Sequence, residues 1–310
     1  MADPRVQKLA RLLVDYSVKV KPGDKVAIRG SMASFPLVTE TYREVVRAGG
    51  NPLVMWQESV FAEIMLKNGN DDQLQYIPAP VKMVMDEFDC LISLSGTDNT
   101  RTLSGVDPAR QQLVQSAGRE MTQTFMRRGA SGELRWIGTM YPTNAQAQEA
   151  DMSLSEFEDF VYAACFVDQE DPVAEWQKIS AMQQKLVDWL VGKKDVRVQG
   201  PNVELTLSIA GRTFINSDGR KNMPSGEIFT GPVEDSVNGW VRFTYPAIYN
   251  GREVDGVELR PMKNHAYRWA SGIPTHPESW HIDTPERGRA MAETLGQNNA
   301  VMLRAHGAVI

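Results

Sequence analysis

The sequence predicts an α/β fold in two parts: an N-terminal, mainly parallel sheet covered by helices, followed by a second part rich in antiparallel strands. Two features of the pattern predict it. Between residues 25 and 95, short apolar runs alternate with amphipathic stretches in the order strand, helix, strand, helix, strand. That order lays parallel strands side by side beneath their crossover helices. After residue 192 the apolar period changes to two, between glycine-rich turns, which suits antiparallel pairs with one wet face. The length of 310 residues exceeds one ordinary core.

The elements follow in chain order. RVQKLARLLVDYSVKV places Leu9, Leu12, Leu13 and Tyr16 at helical spacing. PGD then turns the chain into the short strand KVAIRG. FPLVTETYREVVRAGG reads as a helix with Val38, Tyr42, Val45 and Val46 inward and glycine as its stop. NPLVMWQE is a strand, VFAEIMLKNG a helix and FDCLISLSG a strand. The turn GTDNTRTLSGVD then falls at the carboxyl end of a parallel strand, where open sheets place ligands. A polar loop with a helix cap is the favoured reading of it, and neither GxGxxG nor GxxxxGK[ST] is present. In SLSEFEDFVYAACF, Ser153 or Ser155 can cap a helix with Phe157, Phe160, Val161 and Ala164 on one face. PVAEWQKISAMQQKLVDWLVGKK starts a second helix at Pro172 and ends it at Gly192. Period-two strands follow in DVRVQG, VELTLSIAG, RTFINSDG, EIFTGP and GWVRFTYPAIYNG, which places a domain boundary near residue 192.

The formal net charge of -6 argues against nucleic acid or an anionic membrane as the main partner. No apolar run is long enough to span a bilayer. The opening MADPRVQKLARLL is charged and amphipathic, unlike a signal peptide, so a cytoplasmic protein is expected. Cys90 and Cys165 sit in apolar runs and read as buried thiols. All four histidines (His265, His276, His281 and His306) fall after residue 264.

One stretch carries more chemistry than the rest. In NMPSGEIFTGPVEDSVNG, Glu227 follows Gly226 and leads into the apolar pair Ile228 and Phe229. A carboxylate that opens a half-buried strand is costly unless a positive group meets it. A divalent cation would do so, and rigid proline and glycine turns can fix the oxygen in place. Alternatively, Glu227 ends the strand in solvent or pairs with Arg220 or Lys221. Glu234 and Asp235 read as residues that tie turns together.

Together these segments resemble the thermophilic-type metalloaminopeptidases, the aminopeptidase T and aminopeptidase S family. VKPGDKVAIRG, the helix pair, the run from VRVQG through NMPSGE and PVEDSVNG, and YNGREVDGVELR carry the resemblance, over about residues 5–260. It implies a two-domain protein, usually a homodimer, that removes N-terminal amino acids from peptides. It also implies a two-metal centre, often of zinc or cobalt, with Glu227 as one ligand. After Arg260 the family's pattern stops, and segments like IHLALG and HWD do not occur. DTPERGRAMAETLGQNNAVMLRAHGAV instead resembles the closing part of class II aldolases, which would make His306 a metal ligand. The expected division is therefore 1–192, an N-terminal α/β domain; 193–260, a partial metallopeptidase domain; and 261–310, an unrelated-looking tail. A metal-dependent aminopeptidase lineage with an incomplete metal site is the main expectation. A non-catalytic remnant or fusion product, and an aldolase-like lyase supported by the tail alone, are the alternatives. His265, His276 and His281 match no ligand spacing and read as surface or packing residues.

Overall fold

The computed structural model describes residues 3–249 and 251–261 and, beyond them, three short strands at 275–276, 301–303 and 307–309. The chain opens with α1 (Pro4–Arg11), whose last turn widens into a π-helix at Leu12–Ser17. Then come β1 (Lys25–Gly30), α2 (Phe35–Arg47), β2 (Asn51–Trp56), α3 (Ser59–Asn68), α4 (Asp71–Gln75), α5 (Ala79–Glu87) and β3 (Cys90–Ser95). Next are α6 (Pro108–Ala117), α7 (Arg119–Ser131), β4 (Arg135–Met140), α8 (Asn144–Glu149), α9 (Leu154–Ala164) and α10 (Pro172–Leu190). The strand-rich part runs through β5 (Asp195–Gly200), β6 (Val203–Ser208), β7 (Ile215–Ser217), β8 (Asn222–Met223), β9 (Glu227–Phe229) and β10 (Asn238–Arg242). It continues with β11 (Ala247–Tyr249), β12 (Arg252–Val254) and β13 (Glu258–Leu259), then β14 (Thr275–His276), β15 (Val301–Leu303) and β16 (Gly307–Val309).

The chain divides into two units, and they interleave. The first takes residues 1–194, 210–231 and 243–257; the second takes 195–209, 232–242 and 258–310. The boundary expected near residue 192 lies where the chain first leaves the first unit, but the chain returns to it twice. The physical reason is a strand. Asn222 and Met223 pair in parallel with Gly138 and Thr139, which completes a five-stranded parallel sheet in the order β2-β1-β3-β4-β8. Met223 is 2% exposed and joins a core that includes Leu9, Leu13, Ile28, Ile92 and Trp176. Each such side chain, fully buried, stabilises the fold by about 1.5–3 kcal/mol.

The carboxyl end of this sheet is closed by protein groups. Ser31 Oγ donates to Gly96 O (2.7 Å) and Ser34 Oγ to Leu94 O (3.0 Å), bridging the turns after β1 and β3. The loop after β3 is held by the β11–β12 hairpin: Arg252 donates to the carbonyls of Ser104 and Val106, and Arg101 pairs with Glu253 at 2.9 Å. Gly251, at φ +79°, lies against that loop, and a Cβ there would fall 2.7 Å from Ser104 N. The polar-loop reading of GTDNTRTLSGVD matches these bonds.

Helix signals in the sequence hold at α9 and α10. Ser153 and Glu156 form a reciprocal capping box, Pro172 starts α10, and Gly192 at φ +80° follows its end. The inward face of α2 differs from the expected one. Val38 and Val45 are buried, but Tyr42 and Val46 are exposed, and Leu37, Thr41, Glu40 and Glu44 are buried instead. α2 packs on α1 as well as on the sheet, which turns its covered stripe. Arg47 meets Glu44 at 2.7 Å and Arg43 meets Glu40 at 3.1 Å, so the buried carboxylates are paired. On α9, Phe157 and Val161 are buried while Phe160 is exposed.

The second unit has its own antiparallel sheet, β13-β10-β6-β5, with Gly239 facing Leu205 and Trp240 facing Glu204. Gly239 is at φ +118°, and a Cβ there would lie 1.9 Å from Glu204 O, so only glycine fits. β14, β15 and β16 form a further small sheet in this unit.

Cys90 and Cys165 are fully buried free thiols, as the sequence predicts. Burial pushes both up to about 12 from 9.0. Neither is expected to react with Ellman's reagent at pH 8 in the native protein, and both should react in denaturant; a fast native thiol would contradict this. Because the folded state holds these protons more tightly, the contribution to stability is present below pH 9 and is lost as pH rises toward about 12.

Candidate metal-ligand site

Glu227 stands at the head of β9, and the preceding loop is fixed from several sides. Tyr16 OH donates to Asp218 O (3.0 Å) and Ser17 Oγ to Gly219 O (2.6 Å). Gly219, at φ +89°, lies against the Trp176 ring, where a Cβ would approach to 3.2 Å. After Met223 and a cis bond to Pro224, Ser225 Oγ and Gly226 N both donate to Ser217 O (3.0 and 3.1 Å). Gln183 Nε2 donates to Asn216 Oδ1 and Ser217 O, which ties β7 to α10. The result is a β7–β9 ribbon in which Ser217 faces Glu227, Asn216 faces Ile228 and Ile215 faces Phe229.

Directly opposed residues of an antiparallel pair point to the same side. Glu227 therefore shares its side with Ser217, which is buried, and with Ile215 and Phe229, both exposed, while Asn216 and Ile228 share the other. Glu227 itself is exposed. This exposure matches the alternative in which Glu227 ends the strand in solvent; Ile228 after it is half-buried. Burial cost therefore gives no reason for a cation at this residue. The expected pairing with Arg220 or Lys221 is not formed either. Arg220 meets Asp218 at 3.4 Å, and Lys221 Nζ lies 5.3 Å from the centre of the Trp136 ring. What remains is a carboxylate on a fixed backbone whose oxygens make no hydrogen bond or ion pair with the described residues.

The ribbon borders a cavity of about 580 Å³, lined among others by Phe125, Trp136, Asn216, Phe229, Arg220 and Lys221 but not by Glu227. Burial lowers the Lys221 ammonium from its ordinary value. Among the described residues, no group of three or more His, Cys, Asp or Glu side chains is placed to hold a metal ion. His265, His281 and His306 lie outside the described residues, and of His276 only the backbone strand is described. In the second unit, Ser236 organises the turn that contains Glu234 and Asp235. It accepts from Ser208 N (2.9 Å) and donates to Val233 O (2.6 Å). That role was legible only as turn composition.

Residues 2–264 match the family model described as Thermophilic metalloprotease (M29). The chain belongs to the thermophilic metalloprotease family. Among similar proteins is Aminopeptidase 2 of Geobacillus stearothermophilus, 25% identical over 94% of this chain and 76% of its own. Aminopeptidase T of Thermus thermophilus is 22% identical over 93% of this chain and 76% of its own. The solved structure of wild-type AmpT from Thermus thermophilus superposes with a TM-score of 0.69 at 20% identity, covering 83% of this chain and 68% of that one. That likeness shows the fold: a parallel sheet under helices, followed by antiparallel strands. The family match bears out the resemblance read over residues 5–260. Coverage of 94% exceeds what residues 2–264 make up, so the likeness to aminopeptidases reaches into the tail. The aldolase-like reading of the tail gains no support, and the metalloprotease family favours neither the remnant nor the lyase alternative.

Proposed function

We propose that this chain is a metal-dependent aminopeptidase in which Glu227 supplies one metal ligand. The observation that supports the Glu227 assignment is its unpartnered carboxylate, held on a fixed backbone in the β7–β9 ribbon, whose Ile215 and Phe229 line a nearby cavity. The family supplies the reaction class, and the resemblance of NMPSGE to the family's motif supplies the candidate residue. Zinc or cobalt, two ions per centre, a homodimer and a cytoplasmic location complete the reading. No helix among the described residues is long and apolar enough to cross a membrane. One carboxylate does not make a catalytic centre, since such sites need three or more protein ligands. The described residues hold a piece of the centre.

Release of an aminoacyl chromophore in the presence of zinc or cobalt tests this, with Glu227→Ala beside the unmodified chain. Little turnover is expected from the chain as written, and none from the variant. Turnover that survives Glu227→Ala would remove that residue from the centre. Robust turnover that the variant abolishes would show that residues after Arg260 complete the ligand set, against the reading of an incomplete site.

A further inference from the structure

The parallel sheet carries a charge on its apolar side that no acid meets. β1, β3 and β4 run in register, so Arg29, Ser93 and Gly138 form one row, which continues to Asn222. The row two residues earlier is Ala27, Leu91 and Trp136, packed with Met85 and Phe88 in a second apolar core. Arg29 therefore points from a parallel strand into the layer under α5 and α7. Its Nε is buried without a hydrogen-bond partner, and its Nη2 has only the Met85 sulfur at 3.8 Å. It forms no ion pair among the described residues. Burial works against the charged form of this guanidinium.

Beside it is a cavity of about 260 Å³, walled by Met85, Met121, Phe125 and Trp136, with Ser93 the neighbouring hydroxyl and Thr122 exposed at its edge. Gly138 leaves its place in the row open: a Cβ there would meet only Asn222 Oδ1, at 3.7 Å. None of the lining residues is acidic. A half-buried guanidinium in apolar walls is costly unless an anion pairs with it, and its planar donors match a carboxylate two by two.

We propose that this cavity binds a small organic monocarboxylate with an apolar, aromatic or branched body. Its carboxylate would rest on Arg29 and Ser93 and its body against Phe125, Trp136 and Met121. A free amino acid suits it less, because its ammonium would meet no acid. Inorganic phosphate suits it less, because one cation and apolar walls do not satisfy a doubly charged ion. The cavity shares Phe125 and Trp136 with the one beside the β7–β9 ribbon, but Glu227 does not line it and the proposal does not depend on the metal assignment.

Calorimetric titration of the whole chain in a chelator, with phenylacetate, phenylacetamide, phenylalanine and inorganic phosphate, tests the proposal. Phenylacetate should bind about 10-fold or more tighter than its amide, the difference expected of a charge-assisted pair. Arg29→Met should abolish that preference without lowering the Tm of the free protein, whereas an arginine with a purely structural role would lose stability. Met121→Trp, which fills the cavity from α7, should abolish binding with Arg29 intact. Equal affinity for acid and amide, no binding of either, or phosphate binding as tightly as phenylacetate would each overturn the proposal. If Arg29→Met does not fold, the acid and amide comparison in the unmodified chain decides.

Discussion

Trp176→Ala is expected to destabilise the first unit by about 3–5 kcal/mol, the range for removing a large aromatic from a packed core. The ring is 1% exposed. Its Nε1 donates to Cys165 O at 3.2 Å, and Phe166 meets it edge-on with centroids 5.3 Å apart. On its other contact, Gly219 brings backbone close enough that a Cβ would lie 3.2 Å away. The same residue thus supports the end of α9 and the loop that leads to Glu227. Trp176→Phe keeps most of the apolar contact and gives up the hydrogen bond, so a smaller loss of about 1–3 kcal/mol is expected from the carbonyl left unpaired. Denaturant unfolding measures both. A loss below about 1 kcal/mol for the alanine variant would mean that the core is not organised around this ring.

The parallel sheet was legible because its strands announce themselves locally. KVAIRG and CLISLS are short apolar runs bounded by turns, and both became strands with little change of limits. Helix ends were legible wherever chemistry marks them, as at Ser153, Pro172 and Gly192. β8 was not. It is two residues long, lies inside what reads as a proline and glycine loop, and pairs with a strand more than eighty positions earlier. Nothing local to Asn222 and Met223 signals that partner. The face of α2 was missed for a related reason: periodicity gives a stripe, but contact with α1 decides which stripe is covered.

The candidate site divides along the same line. Glu227 was legible from the motif around it, and the fixed loop agrees with the rigidity expected of those prolines and glycines. Its exposure was left open between alternatives, because the surroundings of β9 depend on the pairing with β7 and on α10. Arg29 could have been noticed. It shares parity with Ala27 in a strand expected to be covered on both faces, and a charge there asks for a partner. The sequence near it offers none, and only the sheet register reveals the row to which it belongs.

Glu227→Ala is expected to weaken binding of zinc or cobalt by about 10- to 100-fold or more, since losing a group that only supports a metal ligand already costs that much. The substitution isolates the metal effect. Glu227 is exposed and makes no hydrogen bond or ion pair with the described residues, so its loss should change stability by no more than about 0.5 kcal/mol. Glu227→Gln preserves shape and removes the charge, and it should weaken binding in the same direction. The deciding measurement is a calorimetric titration of the metal-free chain with zinc, repeated with cobalt, alongside both variants at matched Tm. The account predicts weak binding in the unmodified chain that both variants reduce further. Superimposable isotherms for all three proteins, or no binding by the unmodified chain, would contradict it.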